Sequence, residues 1–200
     1  MTSRKWVRLF LTTLFLGGLL TLVTSFIVKS DAYANVFQPL DLYQLIGPLL
    51  FFLGLGFIFS VISQMGFFAY LTVHQFGLGI FRGYWPIIQV GLVIFTLFDL
   101  VYFRYRAADN TSLWPYLFTA MAILLIGLVV AYLKTKETNQ KAFIPALFFM
   151  VVVTTVEWVP ALQAKGNDYT WLMIIPLLAC NIYQLLLLHK LNPPRTQTTK

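Results

Sequence analysis

Charged side chains are scarce in this sequence, where Asp, Glu, Lys and Arg together make up 10% of the 200 residues. A typical soluble domain carries about 25%. None of the four occurs between Leu42 and Phe81, a run of forty residues. A water-soluble surface needs charges every few residues, so this run excludes an ordinary soluble fold and indicates a membrane protein.

Long polar segments are also missing. The longest polar connection, residues 29–41, has 13 residues, which leaves no room for a soluble catalytic or nucleic-acid-binding domain. The net charge of +7 therefore predicts no nucleic-acid partner. It is typical of basic residues held at the cytoplasmic face of a membrane.

Residues that carry chemistry are few. The one cysteine, Cys180, lies in an apolar run and has no intramolecular disulfide partner. His74 and His189 are far apart in the sequence, so they form no metal-ligand pair of the HExxH type. The glycines between 77 and 83 lack the preceding strand and the Lys-Ser/Thr of a phosphate loop. We therefore expect neither an enzyme nor a bound cofactor or metal.

Apolar segments of membrane-spanning length are what the sequence has in abundance. Each must be helical, because lipid offers backbone amides no other partner. The five tryptophans fall within a few residues of the segment ends, where indoles settle at membrane interfaces. The sequence predicts an all-α polytopic membrane protein with one domain, residues 1–191, and a short disordered tail, residues 192–200. The six predicted spans are residues 9–28, 42–62, 85–103, 113–133, 142–162 and 169–188.

The distribution of basic residues predicts the orientation in the cell membrane. If the N-terminus is cytoplasmic, the inner face holds ten Lys and Arg residues and the outer face holds four. This asymmetry favours a multi-pass protein with both termini in the cytoplasm. The outer four are Lys29, Arg104, Arg106 and Lys165.

The uncharged run of forty residues is too long for one crossing and leaves almost no turn for two. We favour one crossing followed by a cytoplasmic-side segment, residues 64–83, that stays in or near the membrane. That segment could be a continuation of the helix, an interfacial helix or a re-entrant loop. A seven-span arrangement, with a turn at residues 63–66, is the alternative. It would divide the basic residues six inside to eight outside, so the asymmetry would vanish.

Two acids, Asp99 and Glu157, lie inside the predicted spans. With Arg104 they form a predicted outer-face polar cluster. One interpretation is a paired acid site for a cation or a proton. The other is a pair of interfacial acids near Arg104, Arg106 or Lys165 that fix helix packing, because a charge at mid-membrane costs about 2.5–3.5 kcal/mol.

The segment after the second span carries the predicted partner-contact surface. Gly79 and Gly83 form a small-xxx-small pair that lets another helix approach closely. The alternative is an amphipathic helix that rests on lipid. In the last span, Asn181 and Gln184 share one helix face and are expected to bond a neighbouring helix. The predicted contact residues are Gln64, His74, Gln75, Gly79, Arg82 and Gly83.

The block Ile62-Ser-Gln-Met-Gly-Phe-Phe-Ala-Tyr-Leu-Thr-Val-His-Gln-Phe-Gly-Leu-Gly-Ile-Phe81, with the opening Ser3-Arg-Lys-Trp-Val-Arg8, resembles the KbaA family of endospore-forming bacilli, whose members activate KinB signalling. The resemblance covers the full chain. It implies a role in activating the membrane histidine kinase KinB, which feeds the phosphorelay that starts sporulation. It implies no catalytic residues.

The leading functional hypothesis is an accessory membrane protein that biases a sensor kinase toward its active state by non-catalytic contact. The contact would run through the spans and residues 63–83, and the lipid bilayer would be the other partner. The alternative is a small transporter or channel that uses Asp99 and Glu157. The sequence leaves the oligomeric state open.

Overall fold

A computed structural model describes residues 3–31, 33, 42–107, 112–163 and 167–191, which are almost entirely helical. The predicted tail, residues 192–200, lies outside the described residues. Short 3-10 turns at Arg82–Tyr84 and Gln140–Ala142 connect helices. The helices are α1 (Ser3–Val28), α2 (Leu42–Phe81), α3 (Trp85–Ala107), α4 (Trp114–Glu137), α5 (Phe143–Phe148), α6 (Thr154–Gln163) and α7 (Asn167–Leu191), with a π-helical segment, Phe149–Val153, between α5 and α6.

The uncharged run forms one continuous helix, α2, of 40 residues. At 1.5 Å per residue it is about 60 Å long, twice the thickness of the hydrocarbon core. The helix passes through residues 63–66 without a break, so the turn that a seven-span arrangement requires there is absent. Of the forms considered for residues 64–83, the structure has a helix that continues past the predicted span.

The chain reverses direction at the turn after α2. Arg82 has a φ of 45°, a left-handed conformation that is rare outside glycine. The indole Nε1 of Trp85 then donates a hydrogen bond to Nδ1 of His74 at 3.0 Å. A helix that continued straight would separate these residues by about 16 Å. The contact therefore shows that α3 begins by folding back on α2.

Five helical stretches of the described residues are long and apolar enough to cross a membrane. One of them, Tyr43–Arg106, is 64 residues long and includes α2, the turn and α3. Two of the six predicted spans therefore lie in a single helical stretch that reverses at its turn. The remaining four stretches match the other four predicted spans.

Small residues let α1 pack closely against α2. A Cβ added at Gly56 would lie 2.7 Å from both the Gly17 carbonyl oxygen and the Gly18 Cα. One turn further, the Ser60 hydroxyl donates to the Thr13 carbonyl oxygen at 2.7 Å. Close approach through small residues is a common way in which membrane helices associate.

The helical run from α5 through the π-helical segment to α6 lies at the centre of the bundle. Phe149, Met150 and Val151 are fully buried. A π-helical segment inserts an extra residue per turn, so it changes which side chains face inward after it. Just beyond it, Thr154 and Glu157 of α6 are buried as well.

Four of the five tryptophans divide into two groups by exposure, and Trp6 is half-buried. Trp114 and Trp171 are exposed, as expected for side chains at a membrane interface. Trp85 and Trp158 are instead buried inside the bundle. The Trp158 indole donates a hydrogen bond to the Thr170 carbonyl oxygen at 2.9 Å. For these two residues burial and a hydrogen-bond partner inside the protein replace exposure to lipid headgroups, and their interfacial position stays a prediction.

Candidate functional site: a buried polar network

A network of polar side chains joins α2, α6 and α7 inside the bundle. Asn181 Nδ2 donates to Glu157 Oε2 at 2.6 Å and to Thr154 Oγ1 at 2.9 Å. The Ser63 hydroxyl donates to Asn181 Oδ1 at 2.6 Å, and Gln184 Nε2 donates to the same hydroxyl, also at 2.6 Å. All five side chains are buried. Asn181 is the central member, because it contacts both other helices.

A second group of polar contacts continues the network to α1. Gln64 Nε2 lies 3.4 Å from the Ser60 hydroxyl and 3.5 Å from the Phe10 carbonyl oxygen. Gln64 is only 4% exposed. The structure therefore places this predicted partner-contact residue in the interior, where it bonds to α1 and α2.

Helical spacing explains why these residues meet. Thr154 and Glu157 are three residues apart on α6, and Asn181 and Gln184 are three apart on α7, so each pair lies on one face. A polar group left alone in hydrocarbon costs several kcal/mol, so both faces turn inward and bond to each other. The prediction that Asn181 and Gln184 bond a neighbouring helix is confirmed. Ser63 and Thr154 were not predicted as members of the network, although their spacing to other polar residues was the available signal.

The network gives a hydrogen-bond partner to only one of the two carboxyl oxygens of Glu157. Its Oε1 atom has no hydrogen-bond partner among the described residues, although Oε2 is bonded to Asn181. A Cβ at Gly66 would overlap Oε1, so the absence of a side chain at Gly66 makes room for the carboxyl group. Glu157 is therefore buried within the bundle, where it bonds to Asn181.

The three residues of the predicted outer-face cluster are not bonded to one another in the described part of the structure. The Arg104 guanidinium lies over the rings of Tyr116, at 5.4 Å, and Trp158, at 5.6 Å. Asp99 is half-buried on α3. Within the described ranges, no hydrogen bond or ion pair links Asp99, Arg104 and Glu157 to one another. Their joint functional role stays a prediction.

The end of α2 projects beyond the start of α1. The Trp6 and Phe68 rings, with centroids 5.2 Å apart, mark the level at which α1 begins. The helix continues for 13 more residues, or about 20 Å. We call residues 69–84 the α2 extension. It carries exposed large apolar side chains, which include Phe76, Ile80 and Tyr84.

Most of the predicted partner-contact residues lie exposed on the α2 extension. Gln75, Gly79, Arg82 and Gly83 are all exposed. A Cβ at either glycine would meet nothing within 4 Å in the described part of the chain. The predicted small-xxx-small pair is wrong, because α2 ends at Phe81 and Gly83 lies in the turn that follows, so the two glycines do not share a helix face. His74 is half-buried against Trp85. The extension therefore presents a surface, whereas the network around Asn181 is internal.

Comparison with known proteins identifies the family. The KbaA family model, described as KinB-signalling pathway activation in sporulation, matches residues 17–191. The chain belongs to the KbaA family. A relative named KinB-signaling pathway activation protein, from Bacillus subtilis (strain 168), is 42% identical over 194 residues, which cover 95% of this chain and 98% of the relative. No solved structure matches the chain significantly. The KbaA match includes both the α2 extension and the network residues Ser63, Glu157 and Asn181.

Proposed function

We propose that this chain activates a KinB-type sensor histidine kinase in the cell membrane by non-catalytic contact, and that it thereby feeds a sporulation phosphorelay. The observation that carries the proposal is membership of the KbaA family across residues 17–191. The α2 extension supports contact as the mechanism, because it is an exposed apolar surface next to a buried, fixed bundle.

The proposed topology has six crossings with both termini in the cytoplasm. The reversal at Arg82 allows α2 and α3 to cross separately, and the excess of basic residues on the inner face sets the orientation. The α2 extension then lies at the cytoplasmic side, where a kinase has its catalytic domains. A cysteine at the exposed Gln75 tests this arrangement in a Cys180→Ser background. A membrane-impermeant maleimide should label it in inverted vesicles only, and labelling from outside intact cells would contradict the topology.

The contact surface is proposed to be Gln75, Gly79, Arg82 and Gly83, with the neighbouring apolar side chains. Gly79 lies on α2 with nothing within 4 Å of an added Cβ, so it would allow close approach of a kinase helix. Arg82 supplies a charge at the membrane boundary. Gln64 leaves the predicted set, because its side chain is buried. A contact that favours the active kinase by 1–3 kcal/mol would raise activity about 5- to 150-fold.

Kinase autophosphorylation in proteoliposomes, with and without this protein, tests direct activation. A several-fold rise is expected, and Arg82→Glu or Gly79→Leu should remove it. Gly47→Leu is the matched control, because Gly47 is equally open but lies near the other end of α2. No rise with both proteins folded and oriented, or equal loss with Gly47→Leu, would contradict contact through the α2 extension.

A further inference from the structure

The start of α3 is joined to the α2 extension through the side chain of Trp85. Its Nε1 atom donates a hydrogen bond to His74 Nδ1 at 3.0 Å. The indole is 4% exposed and lies against Gly77, where an added Cβ would overlap it. The Phe81 ring stacks on the same indole, with centroids 6.0 Å apart. The indole is therefore enclosed, and among the described residues its N–H has His74 as its acceptor.

This hydrogen bond requires a neutral imidazole. An indole N–H can only donate, so His74 Nδ1 must carry a lone pair and the ring proton must be on Nε2. A protonated imidazole donates from both nitrogens. Proton uptake at Nδ1 would set two N–H groups against each other and leave the buried indole N–H without a partner. Histidine ordinarily takes up a proton near pH 6.5. The bond is therefore complete above that pH and is lost as the pH falls below it.

Gln89 offers an acceptor to the protonated ring. It lies one turn after Trp85 on α3 and is fully buried, with its Nε2 atom 3.4 Å from His74 Nδ1. Its Oε1 atom has no hydrogen-bond partner among the described residues. A half-turn of the amide group exchanges Oε1 and Nε2, which are nearly equal in size. Oε1 can then accept a charge-assisted hydrogen bond from the protonated Nδ1. The two protonation states of His74 thus have different partners on α3.

The side chains around His74 in the described ranges are uncharged near neutral pH. Tyr70, one turn earlier on α2, has its ring centroid 5.7 Å from the imidazole, and a phenol ordinarily loses its proton only near pH 10. The helix α5 contacts the indole through Phe148 and carries no charged residue. Arg82 in the turn is exposed, and Asp99 lies about 20 Å further along α3. His74 is therefore the group at this turn that titrates near neutral pH.

We propose that His74 is a proton-sensitive switch for the turn after α2. When the ring is neutral, Trp85 bonds to it and holds the start of α3 against the α2 extension. When the ring is protonated, it donates to Gln89, and Trp85 is released. Arg82 lies between the two bonded residues with a φ of 45°, an unfavourable conformation that the surrounding contacts must maintain. Loss of the Trp85 bond therefore loosens this turn and the end of the α2 extension.

Fluorine NMR of the protein in nanodiscs, with 5-fluorotryptophan in place of tryptophan, tests the switch. Trp85→Phe identifies the Trp85 resonance by its loss. That resonance should move in one step between about pH 5 and pH 8, the range in which histidine titrates. The Trp114 resonance comes from an exposed indole and should not follow this step. A Trp85 resonance that stays constant over the whole range would overturn the proposal.

His74→Asn is the variant that separates the bond from the titration. Asn Oδ1 is attached at the same side-chain carbon as His Nδ1, and it accepts a hydrogen bond without taking up a proton. The Trp85 resonance should therefore stay at its high-pH position throughout. His189→Asn is the matched control, because it removes the other histidine, which lies 3.3 Å from Glu137, and it should leave the titration unchanged. Titration that persists in His74→Asn, or that disappears in His189→Asn, would overturn the proposal.

Gln89→Leu replaces His74→Asn if that variant does not fold. The midpoint of the Trp85 titration should move to lower pH, because the protonated ring loses a charge-assisted acceptor whereas the neutral ring loses only a weak contact at 3.4 Å. An unchanged midpoint would overturn the part assigned to Gln89 and with it the switch between two partners.

Regulation of a kinase by this switch rests on the proposed function. In the proteoliposome assay, the unaltered chain should stimulate the kinase several-fold more at about pH 7.5 than at about pH 6, on either side of the ordinary pKa of histidine. His74→Asn should stimulate it equally at both. The same loss at pH 6 with both chains would overturn the regulatory role. No stimulation at pH 7.5 by either chain would instead contradict the proposed function, and the NMR titration would still decide whether the switch exists.

Discussion

Asn181→Leu should destabilise the bundle strongly, because Asn181 joins three helices. Its amide makes three hydrogen bonds, to Ser63, Thr154 and Glu157. Leucine has a similar volume and no polar atoms, so the substitution removes these bonds without creating a large cavity.

The expected loss follows from the contacts. Interhelical hydrogen bonds in membranes contribute about 0.6 kcal/mol on average and up to about 1.7 kcal/mol. Three average bonds amount to about 2 kcal/mol. In the variant, Glu157 Oε2 loses its bond to Asn181, so neither carboxyl oxygen has a partner among the described residues. This loss adds about 1–3 kcal/mol for a buried unsatisfied group. The free energy of unfolding should therefore fall by about 3–5 kcal/mol.

Reversible unfolding in mixed micelles of SDS and a mild detergent, followed by circular dichroism, measures this change. Gln75→Leu is the control, because it makes the same kind of replacement at an exposed position of α2 and should change the unfolding free energy by less than about 0.5 kcal/mol.

The double variant Asn181→Leu/Glu157→Leu tests the reasoning directly. Since it removes both partners of one bond, its cost should be smaller than the two single costs together by about 1 kcal/mol. A loss below about 0.5 kcal/mol for Asn181→Leu, or strictly additive costs in the double variant, would refute the role assigned to the network.

Three further substitutions test the packing with the same unfolding measurement. Gly56→Ala should lower the free energy of unfolding by about 1–3 kcal/mol, because its Cβ would meet α1 backbone atoms at 2.7 Å. Gly54→Ala is the control and should leave that free energy unchanged, because its Cβ would meet nothing within 4 Å. Equal effects of the two substitutions would contradict the close α1–α2 contact. Gly66→Ala should destabilise unless Glu157 is also shortened to alanine, so a lack of rescue would contradict the direct contact. Lys134→Met should lower the free energy of unfolding by about 1–2 kcal/mol, because the buried Lys134 Nζ donates to a carbonyl oxygen of α7 at 2.6 Å. An unchanged free energy of unfolding would show that this bond is dispensable.

The KbaA resemblance and the all-helical class, with apolar helices of membrane-spanning length, were predictable from the sequence. Lipid forces a long apolar segment into a helix, so length and hydropathy locate the helices without any knowledge of their neighbours. The contact between α7 and its neighbours was also predictable, because Asn181 and Gln184 share one helix face. The conformation of residues 64–83 was predictable only as a set of alternatives, since an uncharged run is compatible with a helix, a loop or a turn.

The facing of individual side chains was decided by tertiary structure. Gln64 and Glu157 looked like surface and interfacial residues, yet both are buried in contacts between helices. Trp85 and Trp158 looked like interfacial anchors, yet both are buried and hydrogen-bonded. In each case the partner lies on a different helix, so no local pattern in the sequence reveals it.

The physical reason is that a membrane helix is apolar on the side that faces lipid and largely apolar on the side that faces its neighbours. In a soluble protein the contrast between polar and apolar faces tells which side is inward, but in α2 that contrast is nearly absent. The sequence by itself therefore determined that this protein is a bundle of helices, several of them long and apolar enough to cross a membrane, and where along the chain those helices lie. Only packing between the helices decided which glycines permit close approach, where the chain reverses, and that Glu157 meets Asn181 in the interior.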